Sequence, residues 1–365
     1  MVGFLCLSLN QMSEIGAKDE IDFSMMTAAT SDILFGQEPN AFASHSSQLR
    51  QYRMHLRDQS FGMQAQTSEM NIQIRTTNGG TDPNSRDEAL AIAPRVLTNK
   101  KVSIIMPTRG DVKIVWGKSR CLPEAAIRSI LDVTNYSEFE IILVLDEPHV
   151  APPSLLEICQ NNQVKVLNFS KPFNFSEKCN EGFLAATGDI VVLLNDDTEI
   201  IDPEWLNTLV NLLEDQSVGM VGPLLLLEDG RIQSAGHGMS PTPHNLLAGA
   251  SLDDPQLKKL LSTTRNTSGV TAACVAIRAD LYEEMGGMTL DLPINFNDID
   301  FGLKLLESGY RILWTPETRV YHFESLTREV TLGPSDEYHL RRRWARYFVN
   351  DPYASEFYEL LQHTP

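Results

Sequence analysis

Acidic residues standing at the ends of apolar runs are the chemically suggestive feature of this sequence. Asn195-Asp196-Asp197 follows the run DIVVLL at residues 189–194. Hard divalent cations such as Mg²⁺ and Mn²⁺ take oxygen ligands, commonly one or two carboxylates with the rest from substrate phosphates. A short acidic string at a strand's carboxyl edge presents such oxygens to a crevice, although it also suits a solvated turn or a helix cap before Pro203. Asp146 ends the run EIILVL (140–145) in the same way and could accept hydrogen bonds from a ribose or base. The plain alternative there is a loop residue before Pro148. Asp298, within Asn295-Phe296-Asn297-Asp298-Ile299-Asp300, stands near the start of a helix whose apolar stripe runs through Ile299, Leu303 and Leu306. Off that stripe, its carboxylate suits either capping or general-base removal of a hydroxyl proton. A helix N-terminus stabilises the ionised carboxylate, which keeps it ready to accept a proton but also lowers its basicity. His322, in Tyr321-His322-Phe323-Glu324-Ser325, would end a strand, where it could ligate a metal, contact a phosphate or serve structure alone.

These residues need a scaffold that brings strand ends together. From residue 101 onward, short apolar runs alternate with helical patterns. Strands are expected at residues 102–106 (VSIIM), 140–145, 164–167, 189–194, 220–227 and 270–277 (VTAACVAI), with short strands at 310–314 and 318–322. Helices are expected over 123–133, 153–160, 177–186, 203–213 and 297–307, and over a charged tail at 335–361. Glu228-Asp229-Gly230 reads as a turn. Alternating strands and helices imply a doubly wound α/β sheet with ligands at the carboxyl ends of its strands.

Composition narrows the partners. Among 365 residues, 42% are apolar, so a sizeable core can form. Lys plus Arg total 30 against 48 for Asp plus Glu, a net charge of -18. That excludes a nucleic-acid binder gripping the phosphate backbone and a polybasic membrane anchor. It leaves a phosphate ligand open, because a bound cation reverses the local field. The five cysteines (Cys6, Cys121, Cys159, Cys179, Cys274) lack metal or disulfide spacing and suggest a reducing, cytoplasmic setting. The apolar stretch at residues 2–9 is too short to span a bilayer and lacks the features of a signal peptide. Residues 1–99 are rich in polar residues, with a linker expected over 76–86 (TTNGGTDPNSR) and a short helix over 47–57. The expected organisation is an N-terminal extension over 1–99, flexible or partly helical, a catalytic domain over 100–330 and a helical tail over 331–365.

The order and spacing of the motifs resemble the family 2 glycosyltransferases, above all the bacterial members that build O-antigens, rhamnans and other surface glycans. VSIIMPTRG (102–110), YSEFEIILVLD (136–146), FNFSEKCNEGFLAATGDIVVLLNDDTEI (173–200), EDGRIQSAG (228–236), and TAACVAIRADLYEEMGGM through FNDIDFGLKLLESGYRILWTPETRVYHFES (271–325) carry the resemblance, over about two thirds of the chain. It implies a GT-A fold, a Rossmann-like mixed sheet flanked by helices. It implies that Pro107, Thr108, Arg109 and Asp146 border the nucleoside pocket, that Asp196 lies near the ribose or metal, and that Asp197 and His322 meet a Mn²⁺ or Mg²⁺ ion. Asp298 falls on the family's catalytic base. Asn195 replaces the first acidic position of the family's triplet, Asn297 replaces the Glu of its Glu-Asp motif, and Glu147-Pro148 follows Asp146 where relatives often carry Asn or Asp and then Gly-Ser.

The resemblance implies an inverting transfer of a sugar from a nucleotide-diphosphate donor to a hydroxyl of a glycan or lipid-linked glycan, with no nucleic-acid partner. A lipid-linked acceptor implies peripheral association with the inner membrane face. Two alternatives are a non-catalytic binding or scaffold protein of the same fold and a sugar-1-phosphate nucleotidyltransferase. The first need not keep Asp196, Asp197, Asp298 and His322 together. The second usually carries a Gly-rich basic loop after its first strand, and PTRGDVKIVWGKSR has the basic residues without the glycine pattern. No P-loop or dinucleotide-binding glycine motif is present.

Overall fold

The computed structural model describes residues 100–147, 151–323, 334–354 and 357. The linker and helix expected before residue 99 lie outside the described residues, as do Glu324, Ser325 and the last residues of the expected tail helix. In chain order the strands are β1 (Val102–Thr108), β2 (Val112–Val115), β3 (Lys118–Cys121), β4 (Phe139–Asp146), β5 (Val164–Phe169), β6 (Ile190–Leu194), β7 (Thr198–Ile200), β8 (Val218–Leu226), β9 (Ile232–Ser234), β10 (His237–Gly238), β11 (His244–Asn245), β12 (Arg265–Asn266), β13 (Cys274–Arg278) and β14 (Arg311–His322). The helices are α1 (Leu122–Val133), α2 (Pro153–Ile158), α3 (Phe175–Ala185), α4 (Trp205–Leu212), α5 (Ala279–Glu284), α6 (Asn297–Glu307) and α7 (Pro334–Val349).

One mixed sheet, in the order β12-β14-β8-β13-β6-β1-β4-β5, organises the molecule. Its β6-β1-β4-β5 half is parallel. β13 runs antiparallel to both β6 and β8, while β8 and β14 are parallel. β1, β4 and β6 are largely continuous apolar runs because both their faces are covered, whereas the edge strand β5 is half-exposed and carries Lys165 and Asn168. Alternate residues enter opposite cores: Ile105, Ile142, Val144, Val191 and Leu193 on one face, Ile104, Ile141, Leu143, Val192 and Leu194 on the other. α3 closes on the first face so tightly that a Cβ at Gly182 would collide with the Ile105 side chain. α1 and α4 cover the second face with Ala126, Ile127, Ile130, Trp205 and Leu209.

Two departures from the sequence pattern bear on the site. The apolar run 270–277 becomes strand only from Cys274. Its first residues turn their backbone elsewhere: Ala272 N donates to the Asp298 carboxylate, and Ala273 O accepts from Asn195 N. The two strands expected at 310–314 and 318–322 are one strand, β14, with a register shift between Thr315 and Arg319 where Pro316 lacks a ladder donor.

α6 is fixed from behind by a buried ion cluster. Asp300 is fully buried and accepts from Thr289 Oγ1 at 2.6 Å and Trp344 Nε1 at 2.8 Å. Arg343 Nη1 lies 2.8 Å and Lys304 Nζ 3.5 Å from its oxygens. α7 thereby docks on α6, and Leu340, Trp344 and Phe348 pack against Ile299, Leu303 and Met239. Burial alone would raise the Asp300 pKa, but the charges of Lys304 and Arg343 and the two donated hydrogen bonds prevail and lower it. Its folded-state value therefore lies below the unfolded value of about 3.9, so its contribution is full above about pH 4 and is lost as pH falls through the folded-state value. Asp300→Asn should destabilise the fold by about 3–5 kcal/mol, because Lys304 is left buried beside an uncharged partner. Denaturant unfolding of both proteins between pH 3 and pH 7 checks this: the gap should be widest at neutral pH and narrow toward acid.

Candidate active site

The parallel strands β6, β1 and β4 end on the same edge of the sheet, and the acidic residues follow from that. Thr108, the last residue of β1, donates from Oγ1 to Asp196 Oδ2 at 2.5 Å, and Gly110 N donates to the same hydroxyl at 2.8 Å. Asp196 and Asp197 follow β6 after one intervening residue, Asn195, and are both buried. Burial first, and the neighbouring Asp197 charge second, push the Asp196 carboxyl well above the usual carboxylate range.

His322 reaches this pair through strand pairing. β7 and β14 align Thr198 with His322, and Phe323 N donates to Asp197 O at 2.9 Å. His322 Nε2 lies 3.2 Å from Asp197 Oδ1 and 3.3 Å from Asn195 Nδ2. Residues 127 positions apart thus share one site.

Asp298 comes to the same site from the start of α6. Phe296, immediately before α6, has φ 61, a left-handed conformation uncommon for a bulky residue and concentrated at functional sites. Asp298 is half-buried, with Oδ1 accepting from Ile299 N at 2.8 Å and Oδ2 from Ala272 N at 3.2 Å. A cleft of about 470 Å³ is lined by Pro107, Thr108, Arg109, Asp196, Asp197, His322 and Asp298 together.

Asp146 stands apart from that lining. It joins the site through Lys178, whose Nζ lies 2.7 Å from Asp146 Oδ1 and donates to Thr108 O at 2.6 Å. Lys178 has no exposed side-chain surface. Burial lowers its pKa, and Asp146 pulls it back up. Lys178 was not singled out by the sequence reading, yet a signal existed: Phe175, Lys178, Cys179, Gly182 and Phe183 follow helical spacing, which puts a lysine on the apolar stripe.

The cleft also contains Gln233, His237, His244, Asn245 and Thr271, to which the sequence reading gave no role. Burial lowers the His237 pKa and the charge of Asp298 opposes this, while His244 adds to the lowering and Asn245 opposes it.

The donor set suits a hard or borderline divalent cation. Asp197 supplies carboxylate oxygen and His322 an imidazole nitrogen, and two adjacent buried carboxylates gain from a neighbouring positive charge. Among the described residues, no group of three or more His, Cys, Asp or Glu side chains forms a complete cage.

Known proteins share this chain's pattern. A family model described as glycosyltransferase like family 2 matches residues 116–346. An uncharacterized protein of Sinorhizobium fredii is 35% identical over 268 residues, covering 69% of this chain and 28% of that protein. The O-antigen biosynthesis protein RfbC of Myxococcus xanthus is 30% identical over 260 residues, covering 69% of this chain and 19% of that protein. The chain therefore spans less than a third of the length of these relatives. Among solved structures, GalNAc-T7 in complex with UDP, GalNAc and Mn²⁺ superposes with a TM-score of 0.53 at 17% identity, over 70% of this chain and 51% of that one. That likeness concerns the fold, a mixed sheet flanked by helices as in GT-A proteins. With well over half of its length matched by the family model, the chain belongs to the glycosyltransferase like family 2.

Proposed function

We propose that this glycosyltransferase moves a sugar, with inversion, from a nucleotide-diphosphate donor to a hydroxyl of a glycan or lipid-linked glycan in surface polysaccharide synthesis. The observation that carries this reading is the shared cleft, which Asp196, Asp197, His322 and Asp298 line together. The name of the O-antigen relative supports the glycan assignment, and the UDP and Mn²⁺ bound by the GalNAc-T7 structure agree with the donor and the ion. Among the described residues no helix is long and apolar enough to cross a membrane. A lipid-linked acceptor would be met by a cytoplasmic enzyme associating peripherally with the inner membrane face.

In this reading Pro107, Thr108, Arg109 and Asp146 border the nucleoside, and Lys178 holds Asp146 and the end of β1 in register. Asp197 and His322 would hold the Mn²⁺ or Mg²⁺ ion, with Asp196 beside the ribose or ion. When bound, that ion would neutralise charge on the departing diphosphate. The acceptor oxygen attacks the anomeric carbon from the face opposite the diphosphate, and the carbon–oxygen bond to the diphosphate breaks with its electron pair. Asp298 takes the acceptor's proton. The backbone amides of Ile299 and Ala272 orient its carboxylate.

A thermal-shift screen of UDP, GDP and dTDP sugars with Mn²⁺ or Mg²⁺ should identify the donor, because a ligand bound only by the folded state raises the midpoint. Asp298→Asn should slow transfer from that donor by about 10²–10⁴-fold while leaving its affinity nearly unchanged; transfer at the wild-type rate would remove Asp298 from its role. Asp197→Ala should abolish metal-dependent nucleotide binding in calorimetry, and unchanged heats would contradict the assignment. Lys178→Met should weaken nucleoside diphosphate binding by about tenfold, the loss of one charge-assisted hydrogen-bond network, and wild-type affinity would detach Asp146 from the nucleoside pocket.

A further inference from the structure

The cleft is lined by two nearly buried polar side chains to which the proposed reaction gives no role. Gln233 is 4% exposed and His237 5% exposed, and both line the cleft. Among the described residues Oε1 of Gln233 meets no hydrogen-bond partner, while His237 has the Asn245 side chain close enough to raise its pKa through a hydrogen bond. Buried polar groups nearly always have partners, because an unsatisfied one loses its water without compensation.

The backbone holds both side chains in place. β9 pairs with β8 through Leu225↔Ser234 and Leu226↔Ile232, which leaves Gln233 as the extra residue of a bulge. Bulges of this kind re-aim a side chain and are common beside active sites. His237 pairs with Asn245 across the β10–β11 hairpin, and its backbone N donates to Gly269 O at 2.7 Å. Gly269 packs under the ring so closely that a Cβ there would lie 3.1 Å from Nδ1. An amide and an imidazole each donate and accept, as sugar hydroxyls do. Neither supplies the fixed positive charge expected of a phosphate site.

We propose that Gln233 and His237, with Asn245 beside them, form a subsite for the hydroxyls of a sugar ring, either the sugar carried by the donor or the terminal sugar of the acceptor. The inference rests on the nucleotide-sugar reading of the cleft. It adds the residues that select the sugar, which neither the Asp196–Asp197–His322 group nor Asp298 would do.

The test compares wild type with His237→Leu and with Gln233→Met, the latter of which removes an unsatisfied polar atom and should melt at or above the wild-type midpoint. Calorimetry with Mn²⁺ measures UDP against UDP-GlcNAc and GDP against GDP-Man, and saturation-transfer NMR measures methyl glycosides in the presence of the nucleoside diphosphate. Nucleoside diphosphate affinity should be unchanged in both variants. If the donor sugar occupies the subsite, the added affinity that the sugar confers should fall by about tenfold. If the acceptor sugar does, glycoside signals should be lost while nucleotide-sugar affinity holds. The proposal is overturned if both sugar measurements are unchanged in both variants, or if the wild type binds nucleoside diphosphate without any sugar contribution or glycoside signal. Failure of the wild type to bind any nucleotide with Mn²⁺ would instead sink the nucleotide-sugar reading.

Discussion

Two neighbouring carboxylates buried at the end of one central strand constrain the rest of this structure. Asp196 and Asp197 are nearly inaccessible, and their proximity and burial penalise holding both charges. Such a pair persists only where donors converge on it. Here the Thr108 hydroxyl from β1 donates to Asp196 and the His322 imidazole from β14 lies 3.2 Å from Asp197, so strands distant in sequence must register closely for the site to exist. The mixed sheet achieves this. β6 and β1 run parallel and end together, while β7 leaves the end of β6 to pair with the far end of β14.

α6 solves a second problem, facing the cleft and the core at once. Residues two apart on a helix point to nearly opposite sides, because each turn takes 3.6 residues. Asp298 therefore opens onto the cleft while Asp300 is sealed against α7 and the turn at Thr289. The buried cluster around Asp300 gives the helix start a rigid seat, and a group meant to meet a reacting hydroxyl benefits from a fixed position. The left-handed Phe296 marks where the chain turns sharply to deliver it.

Particular elements show how far local pattern reaches. β1, β4 and β6 are legible as apolar runs because strands covered on both faces need no alternation, and α6 is legible to the residue from Ile299, Leu303 and Leu306. The hairpins β2–β3 and β10–β11 are not, since their short strands are polar or half-exposed and carry no periodic signal. The run 270–277 misleads at its start, where residues before Cys274 are apolar without being strand, the Ala272 amide having gone to Asp298 and the Ala273 carbonyl to Asn195. Lys178 and Gln233 escape notice for a related reason. A buried amine or amide is recognisable only once its partner, or its lack of one, is seen.

The α/β class, the strands of the parallel half and the residue types able to meet a cation, a diphosphate and a hydroxyl proton are all legible in the linear chain. Each of these follows from short-range periodicity and side-chain chemistry, which a linear string retains. Tertiary structure decided which of those residues face one another. It brought Asp298 and His322 to the lining of one cleft with Asp196 and Asp197, tied Asp146 to that site through Lys178, and set Gln233 and His237 in the same lining. Such decisions depend on register between strands far apart in the chain, and register is set by how whole faces pack.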